Sequence, residues 1–210
     1  MCSLFCRLLK LGAILMFIIF PLFGKWEYRA AASLKISPAD HVDIKITPEV
    51  RFQGDGLDKY LAESEAEYDF FDFFEVGASY RLIVKHVKSE PDIIRHRLAA
   101  YVNAEIKIGR TQPSFRVMYN SYEEDEEISN IIRVKTTLDH NIPNSKIDPS
   151  IAAEIYHYFS TSVFYKFRYS FVLDWHPSGP HSVEFKYKLD DYMSSDKIRH
   201  LMEIEYEFEL

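Results

Sequence analysis

The sequence predicts an all-β protein, a single antiparallel up-and-down transmembrane β-barrel of about ten strands within a range of eight to twelve. Apolar and polar residues alternate with period 2 through most of the chain. Most of the alternating runs are long enough to cross a bilayer, which takes ~9–11 tilted residues. The last run extends to the final residue, Leu210, instead of stopping in a turn. Composition agrees. Hydrophobic residues make up 47% of the 210 residues, yet mean hydropathy is −0.20. Both hold if apolar and charged residues are interleaved. That apolar content, with 14 Tyr and 16 Phe, also excludes a disordered chain.

The N-terminus reads differently. Arg7 and Lys10 precede an apolar run over residues 11–24, broken by Pro21, and Ala30, Ala31 and Ala32 follow. A basic start, a short apolar stretch and small residues at a processing site describe a secretory signal peptide. The expected division is a signal peptide at 1–32 and a β-barrel domain at 33–210. The alternative is an uncleaved anchor, with the charged residues between Lys25 and Arg29 as its stop; the apolar run is short of the ~20 residues a spanning helix needs. Cys2 and Cys6 both lie in this segment, so the barrel domain has no disulfide and no cysteine metal ligand. Removing 1–32 takes away four basic residues and one acid, which moves the formal net charge from −7 to −10. An acidic chain lacks the basic face that phosphate backbones require, so nucleic acid is excluded as a partner.

Ten alternating segments follow in order. Residues 43–53 set Ile44, Ile46, Val50 and Phe52 against Lys45, Thr47, Glu49 and Arg51. In 59–70, Tyr60, Ala62, Ala66, Tyr68 and Phe70 oppose Glu63, Glu65, Glu67 and Asp69. In 74–87, Val76, Ala78, Tyr80, Leu82 and Val84 oppose Glu75, Arg81 and Lys85. In 94–108, Leu98, Ala100, Val102 and Ala104 oppose Arg95, Arg97, Asn103 and Glu105. Shorter runs surround Val117, Val134 and Ile155, with Arg116, Arg133, Lys135, Glu154 and Tyr156 on their polar sides. In 163–175, Tyr165, Phe167, Tyr169 and Phe171 oppose Lys166 and Arg168. In 183–189, Phe185 and Tyr187 oppose Glu184 and Lys186. In 202–210, Met202, Ile204, Tyr206 and Phe208 oppose Glu203, Glu205 and Glu207. Strict alternation marks strands with one apolar and one polar face. The breaks carry turn residues, as in Gly54-Asp55-Gly56, Pro143-Asn144 and the stretch from Pro177 to Pro180.

Either a soluble or a membrane barrel alternates; they differ in which face points inward. Long runs, the leader and aromatic residues at segment ends favour the membrane form. Phe70, Phe71, Phe73 and Phe74 surround one turn; Tyr119 with Tyr122, Tyr156 with Tyr158 and Phe159, and Trp175 end others. Such residues form girdles at the headgroup level. Pairing the terminal strand with the first removes the open edges that hydrocarbon forbids, and an even strand number would place both chain ends in the periplasm. The alternative is a soluble secreted barrel binding an apolar ligand.

Several short stretches resemble a known family. Leu57-Asp58-Lys59-Tyr60, FEVGASYR from Phe74 to Arg81, Arg95-His96-Arg97, Asn141-Ile142-Pro143 with Lys146, residues 152–158 and the closing residues 206–210 are similar to the domain of unknown function 2490 (DUF2490) family. The likeness covers roughly 43–210. It implies an outer-membrane barrel of Bacteroidetes-type bacteria. It implies no activity and carries over no catalytic residue.

The polar face supplies the chemistry. Glu63, Glu65, Glu67, Glu203, Glu205 and Glu207 are expected to share an interior with Arg81, Arg95, Arg97, Arg133, Lys135, Lys166 and Arg168. Charges in a low-dielectric interior must pair, so the expectation is a salt-bridged lumen in a structural barrel or a narrow small-solute channel, not an enzyme. The expected partners are outer-membrane lipids, lipopolysaccharide and the barrel-assembly machinery. A lipid-modifying enzyme is the alternative activity; Ser160, Ser162 and His157 near one turn are its only candidates, and their spacing matches no nucleophile system. His96 and His200 fall on the apolar face. Asp174, His176 and His181 surround one turn with loose spacing for a metal, and the acidic run 123–127 (EEDEE) reads as a solvated loop. No catalytic, cofactor-binding or metal residue is assigned.

Overall fold

The computed structural model describes residues 25–210, apart from Asp55, residues 88–90 and 125–126, Ser194, Asp196 and the side chains of 123–127. The described residues form eleven strands and no helix: β1 (Lys25–Ala39), β2 (Val42–Gln53), β3 (Gly56–Phe71), β4 (Phe74–Lys85), β5 (Ile93–Glu105), β6 (Thr111–Glu124), β7 (Glu127–His140), β8 (Ile147–Tyr158), β9 (Val163–Trp175), β10 (His181–Tyr192) and β11 (Lys197–Glu209). Each pairs antiparallel with its sequence neighbours, and β11 closes on β1, so the sheet has no edge.

The closing pair is parallel, with Lys25 beside Arg199 and Lys35 beside Glu209. This follows from the odd strand number: in an up-and-down barrel the first and last of eleven strands run the same way. Eleven lies within the range of eight to twelve, but the even number that would put both chain ends on one side is not observed. The additional strand is β1. Its residues Trp26, Tyr28, Ala30, Ala32 and Leu34 point outward, while Glu27, Arg29, Ser33 and Lys35 point inward. Residues 25–32, expected in the leader, are therefore barrel residues here, and the expected boundary at 33 falls inside β1. The three alanines that resemble a processing site are small strand residues paired with β11 on one side, and Ala30 and Ala31 also with β2 on the other. Residues 1–24 lie outside the described residues.

The two faces are those of a membrane barrel. Ile44, Ile46, Leu98, Ile151, Phe171, Phe185, Met202 and Ile204 are large, apolar and exposed on the outside. Buried residues include Glu27, Arg29, Glu49, Arg97, Glu154, Lys166, Asp190 and Glu205 inside the barrel. A soluble barrel with an apolar cavity would show the reverse, so the reading of a soluble carrier for an apolar ligand is overturned.

Four register shifts interrupt the ladders among the described residues, between Ile36 and Ala39 and at Asp58, Phe70 and Tyr165. Between Arg51–Lys59 and Phe52–Leu57 the register of β2 on β3 slips and leaves Asp58 as an extra residue. Between Tyr156–Lys166 and His157–Phe164 the register of β8 on β9 slips at Tyr165. Tyr165, expected on the apolar face, consequently stacks inside on Tyr158, at 4.2 Å between ring centroids. Tyr156 and Tyr158 also depart from the expected girdle. Both have the parity of Glu154, so the period-2 pattern turns them inward.

Short connections gather at two ends. One mouth carries the connections after β2, β4, β6, β8 and β10. The other carries those after β1, β3, β5, β7 and β9 together with the C-terminal residue. They are called the first and second mouth below.

Candidate functional site: a charged lumen

Asp190 on β10 is fully buried and gathers three cations. Arg168 donates to it from Nε at 2.5 Å and from Nη2 at 2.9 Å. Arg199 donates from Nη2 at 2.7 Å, and Lys166 Nζ lies 3.5 Å away. Arg199 also reaches Glu27 at 3.2 Å, and Arg29 donates to Glu27 at 2.6 Å. Arg29 in turn lies 3.6 Å from Glu203, which accepts from Lys188 at 2.7 Å. Glu205 accepts from Lys186 at 2.7 Å and from Ser33 at 2.6 Å, with Lys45 at 2.9 Å. Carboxylates and cations thus alternate along one connected network on β1, β2, β9, β10 and β11. This is what burial of charge demands, because each ion loses its hydration on entering the lumen.

A second group centres on Glu154 and Tyr156. Arg133 donates to Glu154 at 2.6 Å, the Tyr156 hydroxyl donates to the same carboxylate, and Arg168 lies at 3.8 Å. Three cations face the Tyr156 ring, with Lys166 Nζ 3.7 Å, the Arg133 guanidinium 4.9 Å and the Arg168 guanidinium 5.4 Å from its centroid. The ring's negative face adds a partner where carboxylates run short. On the opposite wall Glu63 accepts from Arg81 Nε at 2.9 Å, Arg97 Nη2 at 2.6 Å and Ser79 at 3.0 Å. Tyr101 donates to Glu67 across β4, through the space left by Gly77.

Cavities remain within and at the ends of this packing. One of about 250 Å³ opens at the first mouth beside Arg51, Lys59, Arg81 and Lys85. One of about 120 Å³ sits mid-lumen among Arg116, Arg133, Glu154 and Lys188. One of about 480 Å³ lies at the second mouth beside Asp139, Asp148, Asp174 and Glu184. Among the described residues, the charged side chains lining the first-mouth cavity are all cations, whereas the second-mouth cavity is lined by four carboxylates together with Lys107 and Arg110.

The expected interior set is brought together. Glu63, Glu203, Glu205, Arg81, Arg97, Arg133, Lys166 and Arg168 all enter ion pairs in the lumen. The sequence reading left out Glu27 and Arg29, because it placed them in the leader. It also left out Asp190, whose flanking acid Asp191 hides its parity.

Other candidates disperse. His157 packs edge-on against Phe164 at 4.8 Å on the outside, and Ser160 and Ser162 are exposed in the turn. His176 pairs with Asp174 at 3.1 Å, but His181 bonds the Tyr206 hydroxyl at 2.7 Å on the outer face. No group of three metal-ligating side chains occurs among the described residues. The side chains of the acidic run 123–127 lie outside the described residues. The two outward histidines are explained by tyrosines on neighbouring strands: Tyr80 is bonded to His96 at 2.7 Å and Tyr187 to His200 at 2.8 Å. Each pair hides two polar tips from an apolar surround.

Fold and lumen together define the class: a closed β-barrel, apolar outside and ion-paired inside. The chain belongs to the family described as protein of unknown function (DUF2490), whose profile matches residues 23–194. No curated protein matches it. Among solved structures it is similar to one titled "NanC porin structure in rhombohedral crystal form", with 12% identity and a TM-score of 0.49 over 82% of this chain and 90% of that one. It is also similar to one titled "KdgM porin in complex with disordered oligogalacturonate", with 12% identity and a TM-score of 0.47 over 79% and 90%.

Proposed function

We propose that this protein is an outer-membrane β-barrel, structural in role or passing only small solutes through a lumen narrowed by its own ion pairs, and not an enzyme. The observation that carries the reading is the opposition of faces. Exposed Ile, Leu, Phe and Tyr surround a wall whose inner side holds Asp190, Glu27, Glu154 and their guanidinium partners. Only a membrane makes that orientation favourable, since water would be excluded from the charges and presented to the hydrocarbon surface. A leader within residues 1–24 and contact with outer-membrane lipids, lipopolysaccharide and the assembly machinery belong to the same reading. The network leaves cavities of about 250, 120 and 480 Å³, which suit water and small ions. Planar-bilayer recording tests the channel part. Small, discrete conductance steps support a narrow path; a current equal to that of protein-free bilayer supports the structural role. Large steady conductance of the kind given by wide porins would contradict both.

A further inference from the structure

The described lining of the cavity at the first mouth concentrates positive charge. Arg51 on β2 stands directly opposite Lys59 on β3, and Lys59 directly opposite Lys85 on β4. Three cations therefore lie in one row across three hydrogen-bonded strands. Next to them Arg81 on β4 stands opposite Arg97 on β5. Like charges placed directly opposite destabilise a sheet. Among the described residues, most carboxylates within reach of these cations serve more than one of them. Arg81 and Arg97 share Glu63. Arg51 shares Glu49 with Arg29, at 2.5 and 3.9 Å, and lies 3.8 Å from Glu27, which Arg29 and Arg199 also hold. Lys59 has Asp58 at 3.5 Å. These five cations and Arg95 line the cavity of about 250 Å³, and no carboxylate is among the described residues lining it. Arg97 is buried, and its Nε–H has no hydrogen-bond acceptor among the described residues.

We propose that this cavity binds a small, multiply charged oxyanion, with inorganic phosphate or a phosphate monoester as its ligand class. Guanidinium forks and ammonium groups converging from adjacent strands match a tetrahedral oxyanion, which accepts from several donors at once. The volume is below the ~300 Å³ at which drug-sized sites begin, so the ligand is small. Bound anion would relieve the repulsion along the row from Arg51 to Lys85 and supply an acceptor on the side where Arg97 lacks one. The site needs the folded barrel but not an open pore.

The test uses protein purified from the membrane fraction in detergent, titrated calorimetrically with inorganic phosphate at ionic strength held constant with chloride. Saturable binding is expected, weakened about tenfold or more by Lys59→Gln combined with Lys85→Gln. Lys107→Gln with Arg110→Gln at the second mouth is expected to bind as the parent does. Absence of saturable binding, or equal losses in both variants, would overturn the proposal. If the Lys59/Lys85 variant does not fold, acetylation of these lysines in the parent protein decides: phosphate is expected to slow it where chloride does not, and equal rates overturn the site. Folding is read by a band that shifts on boiling. A parent protein without that shift contradicts the barrel reading, whereas a shifting barrel that binds no phosphate contradicts this proposal alone.

Discussion

Gly77 on β4 stands directly opposite Tyr101 on β5, and the Tyr101 ring occupies the space a side chain at 77 would need. The ring lies beneath the Arg116 guanidinium, 4.2 Å from its centroid, and its hydroxyl donates to Glu67 on β3. One missing Cβ thus lets a tyrosine tie three strands together inside the lumen. Gly77→Val is expected to destabilise the barrel by about 1–3 kcal/mol through overpacking. The readout is the temperature at which the unboiled band converts to the boiled one. Conversion at the parent temperature would show that the ring has room to move aside.

Asp190→Asn is expected to cost more, about 3–5 kcal/mol, because it leaves Arg168, Arg199 and Lys166 buried around a neutral amide. The same gel assay measures it. An unchanged conversion temperature would mean that water or neighbouring carboxylates replace Asp190, and the network would then not hold the barrel closed.

Much of this arrangement is legible in the sequence. The glutamates at 63, 65 and 67 and at 203, 205 and 207 announce inward faces by parity alone, because a charge at every second residue leaves no other strand orientation. Parity also carries Tyr156 inward, although its place near a strand end resembles a girdle residue. The bulge at Tyr165 is not legible, since a bulge is set by the pairing register between strands and not by one strand's own pattern. Contacts that skip a strand, such as Tyr101 to Glu67 and Lys45 to Glu205, depend on stagger around the barrel. β1 was obscured because three alanines serve equally well as a processing site and as strand residues.

That strand supplies a separate prediction. Glu27 and Arg29 hold Arg199 and Glu203, so a mature chain beginning after Ala32 would lose both. Intact-mass measurement on membrane-extracted protein is expected to place the mature N-terminus at or before Lys25. A mass that begins at Ser33 would contradict the role given to β1.

The outer face can be probed by one charge. Ile204 lies mid-way along β11, points outward and is 44% exposed. Ile204→Arg is expected to destabilise a lipid-embedded barrel by about 2–4 kcal/mol. On a water-facing surface the same change would be nearly neutral, and that result would contradict the assignment of the apolar face to lipid.

The most direct measurement is fractionation of expressing cells, followed by electrophoresis of the membrane fraction with and without boiling. A membrane-bound protein whose mobility changes on heating is the result the account predicts, because a closed sheet held by lumen ion pairs survives detergent until it is heated. A protein found in the soluble fraction, with the same mobility before and after boiling, would contradict it.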